Sequence, residues 1–106
     1  MVRYRTKFQI VAEILKMTKD GAKKYHIMYK VNLSYKLLVT YTNELLGNAM
    51  LTLGENGIYI RTPRGEEFIK KFYEYQEILE RIQEELSILK KEKENLELFF
   101  VTPTAI

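Results

Sequence analysis

The sequence predicts a mostly α chain of the α+β class, in which three short helices and a β-hairpin precede one long helix. Three observations predict it. Apolar residues recur at helical spacing in three blocks before residue 47, with Asp20-Gly21 and Asn32-Leu33 as the breaks between them. Two short strand-like runs then flank Gly54-Glu55-Asn56-Gly57, and Asn-Gly is a strong hairpin signal. From Phe68 onward the apolar positions step by alternating fours and threes, which is the a/d stripe of a coiled coil.

The first helix is expected over residues 6–18, with Phe8, Val11, Ile14, Leu15 and Met17 on its buried face. Gly21 ends it, because glycine tolerates the left-handed conformation common just past a helix. A short second helix fits residues 25–30 and turns Ile27, Met28 and Val31 inward, and Asn32-Leu33 makes the next turn. Ser34 is the expected N-cap of a third helix that runs to about Leu46 and buries Leu38, Tyr41 and Leu45, with Leu37 or Leu46 flanking. Gly47-Asn48 stops it. Strands follow at residues 50–53 and 58–61. Three helices with a short turn between the second and third, and a hairpin directly after them, make a winged helix-turn-helix. Thr62 then caps the long helix and Pro63 occupies its first position, where a missing N–H costs nothing.

The long helix is expected over residues 63–97 and would run roughly 50 Å at a rise of about 1.5 Å per residue. Its seam is Phe68, Phe72, Tyr75, Leu79, Ile82, Leu86 and Leu89; Lys93 interrupts it and Leu96 resumes it. Ile69 and Ile78 widen the N-terminal half, as expected where a helix also packs on its own domain. Beyond Leu79 the other faces are Glu, Lys, Gln and Arg, so the stripe calls for a partner chain and predicts an elongated homodimer; a helix folded back within the chain is the alternative. The edge positions favour an antiparallel pair. With seam positions pairing so that residue numbers sum to 161, Leu79 meets the partner's Ile82 and Lys93 opposes the partner's Phe68, while at the g positions Lys71 faces the partner's Glu92. In the parallel alternative two Lys93 side chains face each other inside the seam. Exposed pairs are worth only a few tenths of a kcal/mol, so the buried lysine pair decides the preference.

These signals divide the chain into residues 1–62, residues 63–97 and an apolar tail at 98–106. Phe100 would extend the seam, but Pro103 stops a helix there. The tail is expected to pack on the partner subunit; a docking peptide for another protein is the other reading.

The overall charge of +3 hides an asymmetry. Residues 1–65 hold 11 Lys/Arg against 4 Asp/Glu, a net +7, whereas residues 66–106 hold 6 against 10, a net −4. A basic head on an acidic rod points to a polyanion partner, most often nucleic acid. With no cysteine and one histidine, His26, neither a disulfide framework nor a zinc site is expected. No nucleophile stands beside a base, no glycine-rich phosphate loop occurs, and the paired carboxylates lie on the rod, so an enzyme and a cofactor are not expected. The N-terminus lacks a signal-peptide core and no apolar run is long enough to span a membrane, so the expected location is the cytoplasm, on the chromosome.

The run Gly21-Ala22-Lys23-Lys24-Tyr25-His26-Ile27-Met28-Tyr29-Lys30-Val31-Asn32-Leu33-Ser34-Tyr35, with Tyr41, Leu45 and then Tyr59-Ile60-Arg61-Thr62-Pro63-Arg64-Gly65-Glu66-Glu67-Phe68, resembles the small archaeal chromatin proteins of the Sso-ten-a family. The resemblance covers roughly residues 6–90. It implies a winged-helix DNA-binding protein that dimerises through an antiparallel coiled coil. Tyr25 stands where family members usually carry a helix-capping Thr, and Thr42 stands where leucine is common.

In a helix-turn-helix the third helix presents its N-terminal half to the major groove. Ser34, Tyr35, Lys36, Val39, Thr40 and Asn43 fall away from its apolar stripe; Lys36 suits a phosphate or guanine and Asn43 suits adenine. Arg61 and Arg64 flank the wing, and Lys23, Lys24 and Lys30 bracket the second helix, all suited to phosphate. Tyr29 and Tyr35 are either core aromatics or contacts to the DNA backbone. One Lys and no Arg on the reading face is a thin base-reading set, so double-stranded DNA binding with little sequence preference is expected. A sequence-specific repressor and a winged-helix protein-interaction module are the alternatives.

Overall fold

A computed structural model describes residues 5–100. Residues 101–106, most of the apolar tail, and Arg3 lie outside the described residues. Helix α1 spans Lys7–Met17, and Thr6 closes its first turn in a capping box with Gln9. Helix α2 spans Lys24–Val31 and ends at Asn32, whose left-handed backbone turns the chain toward α3 at Tyr35–Gly47. Lys23 stands at the N-cap of α2 without a side-chain bond, so the helix begins uncapped, and Tyr25 lies inside its first turn and not at the cap. Ser34 caps α3, accepting from the Leu37 N–H at 3.2 Å.

Strands β1 (Ala22–Lys23), β2 (Leu51–Leu53) and β3 (Ile58–Arg61) form an antiparallel sheet in the order β1-β3-β2. The hairpin is as expected, with Leu51 opposite Arg61 and Leu53 opposite Tyr59. The hairpin closes through the three residues Glu55–Gly57, a single 3₁₀ turn in which Asn56 and Gly57 both take positive φ. The third strand was not legible. β1 is two residues long, too short for any alternation, and pairs Ala22 with Tyr59.

Ile14, Leu15, Ile27, Leu38, Leu45 and Leu51 are fully buried and draw the three helices and the sheet onto one core. Burying each is worth about 1.5–3 kcal/mol. The two buried hydroxyls are satisfied within their own helices, Thr18 donating to the Ile14 carbonyl at 2.9 Å and Thr42 to that of Leu38 at 2.7 Å. Thr42 therefore occupies a leucine-like site without an orphaned polar atom.

Phe8 corrects the expected core: it is 51% exposed and meets Phe68 only edge to face, because Ile10 and Ala12 complete the buried side of α1 instead. Gly47 also differs. It is the last residue of α3, and the left-handed residue past the helix is Ala49, at φ 60°.

Helix α4 spans Pro63–Leu98. Thr62 is its joint to the head, since its hydroxyl donates to the Ala49 carbonyl at 2.6 Å and accepts from the Gly65 N–H at 3.1 Å. Gly65 is buried, and a Cβ there would lie 2.5 Å from the Met50 carbonyl oxygen. The chain divides into two compact units, Met1–Tyr73 and Glu74–Ile106. The boundary falls after Tyr73 and not at residue 62, because Phe68 and Ile69 pack against the core and Phe72 is buried.

Candidate nucleic-acid interface

Helix α3 buries Leu38, Thr42 and Leu45, so its helical period turns Lys36 and Asn43 to the outside, and Tyr35, at the first position of the helix, is exposed as well. Ser34 and Thr40 are exposed beside them and Val39 is half-buried. The Ser34 oxygen is engaged as the cap, and the Thr40 hydroxyl donates to the Lys36 carbonyl at 2.9 Å, which leaves it an acceptor. Lys36 is the one cation among these side chains.

Helix α2 brings a second cation to the same end of α3. The Lys24 ammonium donates to the Tyr35 hydroxyl at 3.1 Å and lies 4.7 Å from the centre of its ring. The hydrogen bond to Tyr35 raises the Lys24 pKa above the ordinary lysine value. Its charge is therefore held at neutral pH. Nothing in sequence spacing announces this pair, since the two residues lie on different helices 11 positions apart.

Lys23 and Lys30 are exposed at the two ends of α2. Tyr29 is 85% exposed and Tyr35 is also exposed, which removes both from the core. Tyr25, one turn before Tyr29 on the same face, is exposed as well and was missed as a candidate. Its spacing from the inward Ile27 and Val31 is the signal that reveals it. His26 is solvent-facing.

Arg61 and Arg64 stand apart from this group. The half-buried Arg61 guanidinium donates to the Leu15 carbonyl at 3.3 Å, near the C-terminus of α1. The Arg64 Nε donates to the Asn48 carbonyl at 3.0 Å, at the C-cap of α3 and thus about 20 Å along that helix from Ser34. Each guanidinium takes part in holding the head together.

In the second unit the expected dimerisation positions Tyr75, Leu79, Ile82, Leu86, Leu89 and Leu96 are all exposed. Gln76 is the single half-buried residue from 74 to 100. Phe68 and Phe72, the first two members of the stripe, belong to the head, half-buried and buried. Among the described residues there is no cluster of metal-ligating side chains and no helix long and apolar enough to cross a membrane.

A family model described as winged helix-turn-helix matches residues 4–80. The chain belongs to the winged helix-turn-helix family. As a winged-helix fold it is similar to the crystal structure of Sso10a-2, a DNA-binding protein from Sulfolobus solfataricus, with a TM-score of 0.65 and 21% sequence identity over 93% of this chain and 100% of that one. No curated protein matches the sequence. The winged-helix assignment accounts for the joint at Thr62, which lets the hairpin lead straight into α4.

Proposed function

We propose that this winged-helix chain is a non-enzymatic protein that binds double-stranded DNA with little sequence preference, and that it works as an antiparallel coiled-coil homodimer organising or bridging chromosomal DNA. The observation that carries the reading is the exposed N-terminal end of α3, where Lys36 stands beside a Lys24 held against Tyr35. The positive end of the α3 dipole adds to the same field. Ser34, Tyr35, Lys36, Val39, Thr40 and Asn43 form the groove-facing set, and Lys23, Lys24 and Lys30 neutralise phosphates on either side. Arg61 and Arg64, tied to backbone carbonyls, contribute field more than contacts. A face that offers one lysine and no arginine to base edges discriminates poorly between sequences. The likeness to a DNA-binding protein of the same fold supports the choice of partner.

The dimer is supported by the second unit, whose apolar stripe lies in water along its length. A helix of this kind gains little stability from propensity alone, and burial against a second copy supplies the rest.

The test is binding to two unrelated duplexes across a salt series. Similar affinities are expected, with about a hundredfold loss between 50 and 200 mM salt if the four lysines of one head each neutralise a phosphate. A strong preference for one duplex would replace this reading with an operator-specific repressor. Absence of binding to both at low salt would replace it with a protein-interaction module.

A further inference from the structure

On the head, Met50, Arg64, Glu67, Phe68 and Lys71 line a shallow groove of ≈ 220 Å³. Met50 and Phe68 are its apolar lining, Arg64 and Lys71 line it with Glu67 beside them, and it continues through Met50 and Phe68 into a second pocket that contains Phe8 and Tyr41. At the other end of the chain, Phe99 is 84% and Phe100 is 87% exposed. The Phe99 N–H donates to the Leu96 carbonyl at 3.2 Å, so its backbone continues the last turn of α4. That turn contains no basic residue to offset the negative end of the helix, and Lys93, the nearest cation before it, is paired with Glu97 at 3.9 Å. An exposed aromatic ring at the negative end of a helix suits an apolar groove that also offers Arg64 and Lys71.

The heptad register brings the two together. Lys71, Ile78, Glu85, Glu92 and Phe99 occupy successive g positions, and Arg64 occupies the g position before Lys71. In the antiparallel pairing g positions sum to 163, so the register that sets Lys71 against the partner's Glu92 sets Arg64 against the partner's Phe99; because Gly65, Phe68 and Phe72 are packed on their own head, the end of the partner's rod meets the head there and not a bare seam. We propose that Phe99 of each protomer seats in the Met50–Arg64–Phe68–Lys71 groove of its partner, with Arg64 over the ring, so that the end of each rod clasps the root of the opposite head. This rests on the antiparallel homodimer proposed above and is made twice in each dimer by symmetry. Phe100, at the next seam position, extends the a/d column beside it. Arg64 thereby belongs to the subunit contact, consistent with its distance from the N-terminal end of α3.

The absence of cysteine permits a direct test by engineered disulfides in the full chain. The double variant Tyr75→Cys/Leu86→Cys reports the antiparallel seam, and Phe99→Ala set against Phe99→Tyr reports the seated ring. Within one chain residues 75 and 86 are about 16 Å apart along the helix, too far to bridge. The double variant is expected to give a covalent dimer on mild oxidation, and the two single cysteine variants none. Linking by either single variant, or no link at all, overturns the antiparallel reading and the docking with it. Phe99→Ala is expected to weaken dimerisation about tenfold and Phe99→Tyr to leave it intact; a linked seam with equal behaviour of the two Phe99 variants overturns the docking and leaves the dimer standing.

Discussion

The head and the rod of this chain draw on similar apolar residues and treat them in opposite ways. In Met1–Tyr73 the leucines and isoleucines converge from three helices and a sheet, and eight side chains are almost wholly removed from water. In the second unit, from Glu74 to Leu98, they are strung along one helix, and every apolar side chain from Tyr75 to Phe100 is exposed. The difference teaches where the free energy of each unit comes from. Convergence needs only the chain itself, whereas a single stripe has no second surface to bury against within its own helix. Helix α4 belongs to both regimes, since its residues up to Phe72 complete the head core and those after Tyr73 do not.

The largest expected effect separates the two regions. Leu38→Ala empties a fully buried site and is expected to cost about 2–5 kcal/mol, seen as a lower denaturation midpoint at every protein concentration. Leu86→Ala is expected to leave the head midpoint of dilute protein unchanged and to move only the concentration dependence of the transition. A Leu86→Ala loss as large as that of Leu38→Ala in dilute protein would show that the rod packs within its own chain, and the contrast would break.

Next in size is Gly65→Ala. The added methyl would meet the Met50 carbonyl oxygen at 2.5 Å and the Arg61 Cγ at 3.0 Å, so α4 must shift away from the core, at about 1–3 kcal/mol. Ser87→Ala, on the exposed rod, is expected to gain a few tenths of a kcal/mol through helix propensity alone. Thermal melts of the two variants sharpen the comparison, because the same change toward alanine has opposite signs in the two regions. Smaller again is Thr62→Ala, which removes both hydrogen bonds of the joint and is expected to cost about 1 kcal/mol in denaturant titration.

The sequence made the head legible wherever a signal was local. Thr6, Ser34 and Asn56-Gly57 act through bonds or backbone angles within three residues, and each does what its type implies. It was silent where tertiary contact decides. The pairing of Ala22 with Tyr59, the exposure of Phe8 and the anchoring of Arg61 on Leu15 each join residues far apart in the chain or depend on what another element covers. Of the candidate interface, helical period alone marked the outward face of α3. It could not separate the lysines near its N-terminus from Arg64 at its far end, because net charge carries no direction.

The smallest effect concerns Lys24. Its hydrogen bond to the Tyr35 hydroxyl raises its pKa in the folded head, so the interaction favours folding fully below the ordinary lysine pKa and is lost as pH rises through the raised value. Tyr35→Phe keeps the ring under the ammonium and removes the acceptor. A side-chain NMR titration is therefore expected to show Lys24 losing its proton at lower pH in the variant than in the parent. At neutral pH the ammonium stays charged in both, so duplex affinity should change less for Tyr35→Phe than for Lys24→Ala. If the two substitutions weakened binding equally, the hydroxyl itself would be the contact, and Lys24 would serve to position Tyr35 and not to meet a phosphate.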